Sequence, residues 1–186
     1  MNDTNLQLAF TEEQSMVMDA AEEFCRENSD IKTVRALLSS ELGFIMEIWT
    51  KMVELGWAGI TIPERFGGTD LGISALIPVV ENMGRSLLTA PLISSAIAAQ
   101  AILRCGTTEI KDIWLTRLAK GCIGTLAILE NEDIGSATTM TAINKGGKIE
   151  LRGRKILVSD AAAADFFLAL CKFETDLVLV LSLIHI

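Results

Sequence analysis

The sequence changes its pattern once, near Gly121, and this change limits the folds that the chain can adopt. Before Gly121, apolar residues recur at the three- and four-residue spacing of amphipathic helices. After it, short apolar runs alternate with turn signals such as Lys145-Gly146-Gly147. Because the helical and strand-like patterns are segregated, we expect an α+β chain, with an all-α helical domain over 1–121 and an antiparallel β domain over 122–180.

Capping signals predict where the helices begin. Thr11-Glu12-Glu13-Gln14 is a capping box, in which the Thr11 hydroxyl accepts from the Gln14 amide and the Gln14 side chain reaches back. A helix is therefore expected near 11–27, and Thr108 is expected to cap the last helix. From the apolar spacing we expect further helices at 31–38, 41–55, 73–88, 92–105 and 109–119.

Prolines and glycines mark the interruptions. Pro63 and the pair Gly67-Gly68 exclude a continuous helix, so 57–68 is expected to be an ordered loop in which the glycines turn the chain. Pro78 should kink the helix at 73–88 unless it falls in the first turn. Beyond Gly121 we expect strands at 125–130, 140–143, 148–151, 156–159, 166–171 and 177–181.

Composition excludes several function classes. A formal net charge of -8 argues against a nucleic-acid partner. No apolar run is long enough to predict a membrane span, and the polar N-terminus lacks a signal-peptide pattern, so we expect a cytoplasmic protein. The single histidine, His185, cannot build a metal cluster or a Ser-His-Asp triad. The four cysteines have no C-x-x-C spacing and are expected to be small buried apolar residues.

An ordered series of short motifs carries the clearest functional signal in the first part of the chain. The series reads Glu54-Leu55-Gly56-Trp57-Ala58-Gly59, Ile62-Pro63-Glu64, Phe66-Gly67-Gly68, Leu71-Gly72 and Glu81-Asn82-Met83-Gly84-Arg85. In this order and spacing it resembles the N-terminal helical domain of the acyl-CoA dehydrogenase family. The resemblance covers nearly all of the first 120 residues, ending at Trp114 to Gly121.

Two segments of the β part resemble the same family. Residues 127–136 match its first middle-domain loop at Glu130, Gly135 and Ser136, and 151–160 match a second loop at Gly153, Lys155 and Ser159. The departures from the family pattern are Leu129 for threonine, Asn131 for proline, Ala137 for aspartate and Leu157 for tryptophan.

The resemblance implies that these loops contact the flavin ring of FAD. In the family, backbone amides and a hydroxyl point at the ring and stabilise the reduced flavin. Ser159 keeps a hydroxyl for this role, Ser136 keeps one near the CoA substrate, and Leu129 can offer only its backbone amide. The expected cofactor-binding residues are Ile128, Leu129, Ser136, Leu157, Val158 and Ser159, and Ser136 is also the expected substrate-binding residue.

The resemblance also implies an activity for the intact protein, namely FAD-dependent α,β-dehydrogenation of an acyl-CoA thioester. The family's base glutamate lies in a C-terminal helical bundle that is absent from this chain, so we assign no catalytic residue and expect the chain alone to be inactive. The implied partners are acyl-CoA, an electron-transfer flavoprotein or similar acceptor, and other subunits in a homo- or hetero-oligomer. Two alternatives are a non-catalytic partner subunit of a heteromeric dehydrogenase and a flavin-dependent monooxygenase of the same fold.

Two further expectations concern the branch and the tail. The segment Gly84-Arg85-Ser86-Leu87-Leu88-Thr89-Ala90-Pro91-Leu92 resembles a divergent branch that acts on bulky or steroid-type acyl-CoA and often pairs unlike subunits. Residues 181–186 end without a turn or polar tail and look like translated adapter DNA, so we expect a non-native tail and a truncated β domain. An incomplete sheet would leave an unpaired edge.

Overall fold

The computed structural model describes residues 11–133 and 136–183. Its helices are α1 Glu12–Asn28, α2 Ile31–Leu37, α3 Met46–Glu54, α4 Gly72–Ser86, α5 Leu92–Cys105 and α6 Thr108–Ala119, with short 3-10 turns at Trp57–Gly59 and Glu64–Phe66. Its strands are β1 Gly124–Ala127, β2 Thr141–Lys145, β3 Lys148–Arg152, β4 Phe166–Phe173 and β5 Asp176–Ser182. The α+β class is confirmed, with α6 and β1 on either side of Gly121.

The helix ends follow their local sequence. The capping box at Thr11 is confirmed, with the Gln14 amide donating to Thr11 Oγ1 over 3.2 Å and the Thr11 amide donating to Gln14 Oε1 over 3.0 Å. The cap of α6 is Thr107 rather than Thr108. The helix expected at 41–55 begins only at Met46, because Gly43 takes a left-handed φ of 74° that a helix cannot contain.

Pro78 lies in the middle of α4, not in its first turn, and α4 is assigned as one helix through it. Proline lacks an N–H, so the helix loses one backbone hydrogen bond there. The Asn82 side chain donates to the Pro78 carbonyl over 3.0 Å, which adds a bond one turn farther on.

The sheet is mixed rather than purely antiparallel, which corrects part of the expectation. The pairs β2–β3 and β4–β5 are antiparallel, but β4 runs parallel to both β1 and β2. The chain leaves β1, forms the β2–β3 hairpin and returns before β4 begins, and such a long crossover is what parallel neighbours require.

The strand expected at 156–159 is absent, and this expectation was wrong. Leu157 and Asp160 have φ values of 52° and 51°, which are left-handed and incompatible with an extended strand. The segment is instead a turn-rich loop between β3 and β4.

Strand β4 joins the helices to the sheet. One cluster of buried side chains lies among α1, α3 and α4 and includes Phe167 of β4. A second lies against α5 and α6 and includes Phe166 and Leu168. Because neighbouring residues of a strand point to opposite faces, β4 is buried on both sides and belongs to both cores.

The segment at 57–68 is an ordered loop, as expected, and most of its first half is buried. Trp57 packs edge-on against Phe24, with ring centroids 5.1 Å apart. Gly68 lies so close to the backbone that a Cβ there would come within 1.9 Å of the Ile62 carbonyl oxygen and 2.6 Å of the Gly59 carbonyl oxygen. The loop therefore requires glycine at 68 for close packing rather than for a positive φ.

The end of the chain takes part in the sheet up to Ser182. Leu181 and Ser182 pair with Leu168 and Phe167 as the last residues of β5. Residues 184–186, including His185, lie outside the described residues, and the non-native origin of the tail stays a prediction. Among the described residues, none of the helices combines the length and the hydropathy of a membrane span.

We predict that Gly68→Ala destabilises the chain by about 2 kcal/mol, because the new methyl group meets backbone carbonyls that cannot move aside. The measurement is urea unfolding of dilute protein, which limits self-association, followed by tryptophan fluorescence, since Trp49, Trp57 and Trp114 are all buried. The control is Gly84→Ala, where a Cβ meets nothing within 4 Å and the exposed helix position should gain stability. Equal effects of the two changes would contradict this account of Gly68.

We predict that the chain expressed alone self-associates. In the described part of the chain β5 pairs only with β4, so its outer edge is open, and Leu177 and Leu183 are 62% and 58% exposed. Size-exclusion chromatography should show aggregates, and the purified chain should be colourless because it does not retain FAD. A monodisperse, yellow preparation would contradict both expectations.

Candidate functional site

The two loops that resemble flavin-binding segments meet in the structure. We call residues 128–133, which follow β1, the first loop, and residues 153–160, which follow β3, the second loop. The Ile156 amide donates to the Leu129 carbonyl over 2.8 Å. The Lys155 ammonium donates to the Ile128 carbonyl over 3.0 Å. Segments about 25 residues apart in sequence are therefore held side by side.

A buried ion pair joins the loops more firmly. Lys155 Nζ lies 2.7 Å from Glu130 Oε1, and the two side chains are only 6% and 10% exposed. Glu130 also accepts from the Thr139 and Met140 amides over 2.8 and 2.9 Å and from the Thr139 hydroxyl. The carboxylate thus fixes the first loop, the second loop and the segment that leads into β2.

These contacts set the protonation state of Glu130. Desolvation alone would raise its pKa, but the hydrogen bonds from Lys155, Thr139 and Met140 outweigh it and lower the pKa to about 2. A carboxylate with this pKa and this many donors is a poor proton acceptor near neutral pH. Glu130 is therefore a structural residue and not a base.

The second loop presents an apolar side chain and a free hydroxyl. Leu157 is held at a positive φ and is 76% exposed. The Ser159 carbonyl accepts from the Thr125 hydroxyl over 2.7 Å, whereas the exposed Ser159 hydroxyl has no hydrogen-bond partner among the described residues. The second loop begins at Gly153, which packs closely against Met140, because a Cβ at this position would lie 2.7 Å from the Met140 side chain.

The predicted site residues fall into separate groups. Ile128, Leu129 and Ser136 line one cavity, together with Leu170 and Leu177. The Ser136 hydroxyl donates to Asn131 Oδ1 over 2.9 Å, so its proton is already used. Gly135, which matches the family pattern, lies outside the described residues.

The remaining predicted residues lie on the second loop. Ser159 lines a different cleft with Thr125. The Val158 side chain packs into the core, so only its backbone is available to a ligand. The structure thus brings the two loops together but does not place all six predicted residues around one cavity.

A mostly apolar cleft runs between the helices and the second loop. One part is bordered by 42–44, α4 and the turn at 88–90, and the other by α5, β1 and Ser159. The two parts share Ala90, Ile93 and Asp160. The arrangement can hold an extended apolar group against the hydroxyl and backbone of the second loop.

Two anchors of the second loop were not predicted from the sequence. Thr125 lies in an apolar run, and Ser94 lies in a helix that is apolar on most sides, yet both hydroxyls donate to the second loop. A buried hydroxyl in such a run needs a hydrogen-bond partner. The sequence therefore indicates that Thr125 and Ser94 form hydrogen bonds, but it does not identify their partners.

We predict that Glu130→Gln lowers the free energy of unfolding by about 2 kcal/mol at neutral pH, because Lys155 loses its buried counter-charge. The pKa of Glu130 is lowered on folding, so its contribution is present above about 4.5, the ordinary value, and is lost as the pH falls towards 2. The measurement is urea unfolding of both proteins across this range, and the two curves should converge in acid.

The matched control is Glu81→Gln. Glu81 forms an exposed i,i+4 pair with Arg85, so its loss should change the unfolding free energy by less than about 0.5 kcal/mol at any pH. A pH-independent effect of Glu130→Gln would show that the amide disturbs packing rather than charge.

Comparison with known proteins places the chain in a family. The family described as acyl-CoA dehydrogenase, N-terminal domain, matches residues 11–122. The chain is 31% identical over 166 residues to an acryloyl-CoA reductase (NADH) of Anaerotignum propionicum, covering 86% of the chain and 42% of that protein. It is 30% identical over 173 residues to an acyl-CoA dehydrogenase of Bacillus subtilis, covering 89% and 45%.

A solved structure agrees with these matches. A variant of the Tcur3481-Tcur3483 steroid ACAD superposes with a TM-score of 0.82 at 29% identity, over 91% of this chain and 47% of that one. The chain spans about half the length of these relatives. With a family match over 11–122 and the same fold through the β strands, the chain belongs to the acyl-CoA dehydrogenase family.

Proposed function

We propose that the chain is the N-terminal and middle part of an FAD-dependent acyl-CoA dehydrogenase that removes hydrogen from the α and β carbons of an acyl-CoA thioester. The observation that carries the proposal is that the first and second loops are held side by side. The ion pair of Glu130 and Lys155 holds them together, and the Ser159 hydroxyl and the Leu157 side chain point away from the core.

The residues present fit a planar ring with polar edges. Leu157 offers an exposed apolar surface on which a ring can lie, and its left-handed backbone is a strained conformation of the kind found at functional sites. The Ser159 hydroxyl is a donor with no competing partner among the described residues. These two residues, with backbone amides of both loops, would hold the flavin, and Ile128, Leu129 and Ser136 would lie along the first loop.

When bound, FAD supplies an acceptor for hydride from the substrate. The chain's own residues position the two reactants and keep water out of the apolar cleft. The proton acceptor is proposed to lie in a C-terminal part of the longer protein. Glu130 is held ionised by its donors and Glu81 is paired on the surface, so neither fits that role.

The substrate is proposed to be a bulky acyl-CoA. The cleft between α4, α5 and the second loop is mostly apolar, and the similar solved protein is described as a steroid ACAD. We also propose that the protein assembles with an unlike subunit and passes electrons to an electron-transfer flavoprotein or a similar acceptor.

A second candidate is a non-catalytic partner subunit of a heteromeric dehydrogenase. The observation that favours it is the reduced set of donors, since Leu129 has no side-chain donor and the Ser136 proton is used by Asn131. FAD binding distinguishes the candidates, because a partner subunit of this kind would bind FAD weakly or not at all.

We predict that Ser159→Ala weakens FAD binding about tenfold in the chain completed with the C-terminal half of the Bacillus subtilis relative, because one hydrogen bond to the ring is lost. The measurement is a flavin fluorescence titration. The control is Ser39→Ala, an exposed serine whose side chain makes no hydrogen bond to a described residue. Equal affinities for the two variants would contradict a flavin role for Ser159.

Leu157→Gly separates a flavin role from a structural one. Glycine adopts a positive φ without strain, so the variant should unfold at the same or a higher urea concentration, with a gain of up to about 1 kcal/mol. FAD affinity should fall, because the apolar surface is removed. A loss of stability with unchanged FAD affinity would contradict the proposed role.

A further inference from the structure

One charged side chain lies in the otherwise uncharged cleft. Asp160 borders both of its parts, and no other residue that lines either part is ionisable. Its neighbours there are apolar or hydroxyl-bearing, namely Ala90, Ile93, Ser94 and Thr125. A carboxylate in such surroundings is a strong local determinant of what can bind.

Asp160 is held firmly in this position. It has a left-handed φ of 51°, and its Oδ2 accepts from the Ser94 hydroxyl over 2.5 Å. Ser94 is 5% exposed, so the bond is anchored in the buried face of α5. The Asp160 carbonyl also accepts from the Ala163 amide over 3.0 Å, which fixes the backbone that carries the side chain.

The second carboxylate oxygen is available to a ligand. Oδ1 has no hydrogen-bond partner among the described residues, and it is not counted among their buried unsatisfied atoms. It is therefore an accessible acceptor at the junction of the two parts of the cleft. An ionised acceptor favours a hydroxyl or other donor and repels a second anion, and both effects are strong in apolar surroundings.

We propose that Asp160 is a specificity-determining residue of the acyl cleft. It selects acyl thioesters whose acyl group is uncharged and carries a hydroxyl donor, and it rejects acyl groups that end in a carboxylate. This inference rests on the proposed function, because it takes the cleft to be the acyl site. Ser94 is a positioning residue that aims the carboxylate.

The test measures binding of three unreactive acyl-CoA thioether analogues by isothermal titration calorimetry. The analogues have the same chain length and end in a methyl, a hydroxyl or a carboxylate group. The protein is the full-length form with FAD bound. It is compared with Asp160→Asn, which keeps the shape and an acceptor for Ser94, and with Glu109→Gln, which removes an exposed negative charge on the remote helix α6.

The expected result is a change in ratios of dissociation constants. In Asp160→Asn, the preference for the methyl-ended over the carboxylate-ended analogue should fall at least tenfold, and the preference for the hydroxyl-ended analogue should also fall. Glu109→Gln should leave both ratios as they are. Ser94→Ala keeps the charge, so it should retain the rejection of the carboxylate-ended analogue.

Two outcomes would overturn the inference, and they are distinguishable. If the methyl-ended analogue binds and the ratios are equal in Asp160→Asn and the unmodified protein, Asp160 does not set specificity although the cleft is an acyl site. If none of the analogues binds to folded protein with FAD, the proposed function itself fails. Thermal unfolding of each variant identifies any that has lost its fold.

Discussion

The buried ion pair between Glu130 and Lys155 is the interaction on which the candidate site depends. Neither charge is stable alone in a position so little exposed, so each requires the other. Together with Thr139 and Met140 they connect three segments that have no regular secondary structure of their own. A main-chain bond from the Ile156 amide to the Leu129 carbonyl joins the same two loops, so the ion pair and this bond together fix their relative position.

Two hydroxyl groups fix the position of the second loop. The hydroxyls of Thr125 and Ser94 donate to consecutive residues of the second loop, Ser159 and Asp160, from a strand and from a helix. The second loop is thus attached to both parts of the fold. Leu157, which lies between Lys155 and the two anchored residues, is exposed. Rigid attachment with one exposed segment is the arrangement expected of a ligand-binding loop.

Most of the helical part could be predicted from the sequence, because capping and apolar spacing are local signals. Thr11, Pro91 and Cys105 mark helix limits that the structure retains to within a residue. The prediction of a strand at 156–159 was wrong because a short apolar run does not reveal that a residue within it has a left-handed backbone. The loops could be located by family resemblance, but the bonds from Ser94 and Thr125 span 66 and 34 positions, and only tertiary structure pairs such residues.

The position of β4 in two cores has a consequence for the order of folding. Phe166 and Phe167 complete clusters whose other members come mainly from helices made earlier in synthesis. A ribosome therefore releases all six helices of the described chain before the strand that fills the space between them. Until β4 emerges, Trp114 lacks the Phe166 ring whose centroid lies 4.6 Å from its own in the folded chain. A nascent chain with such uncovered apolar surface is a natural client for chaperones.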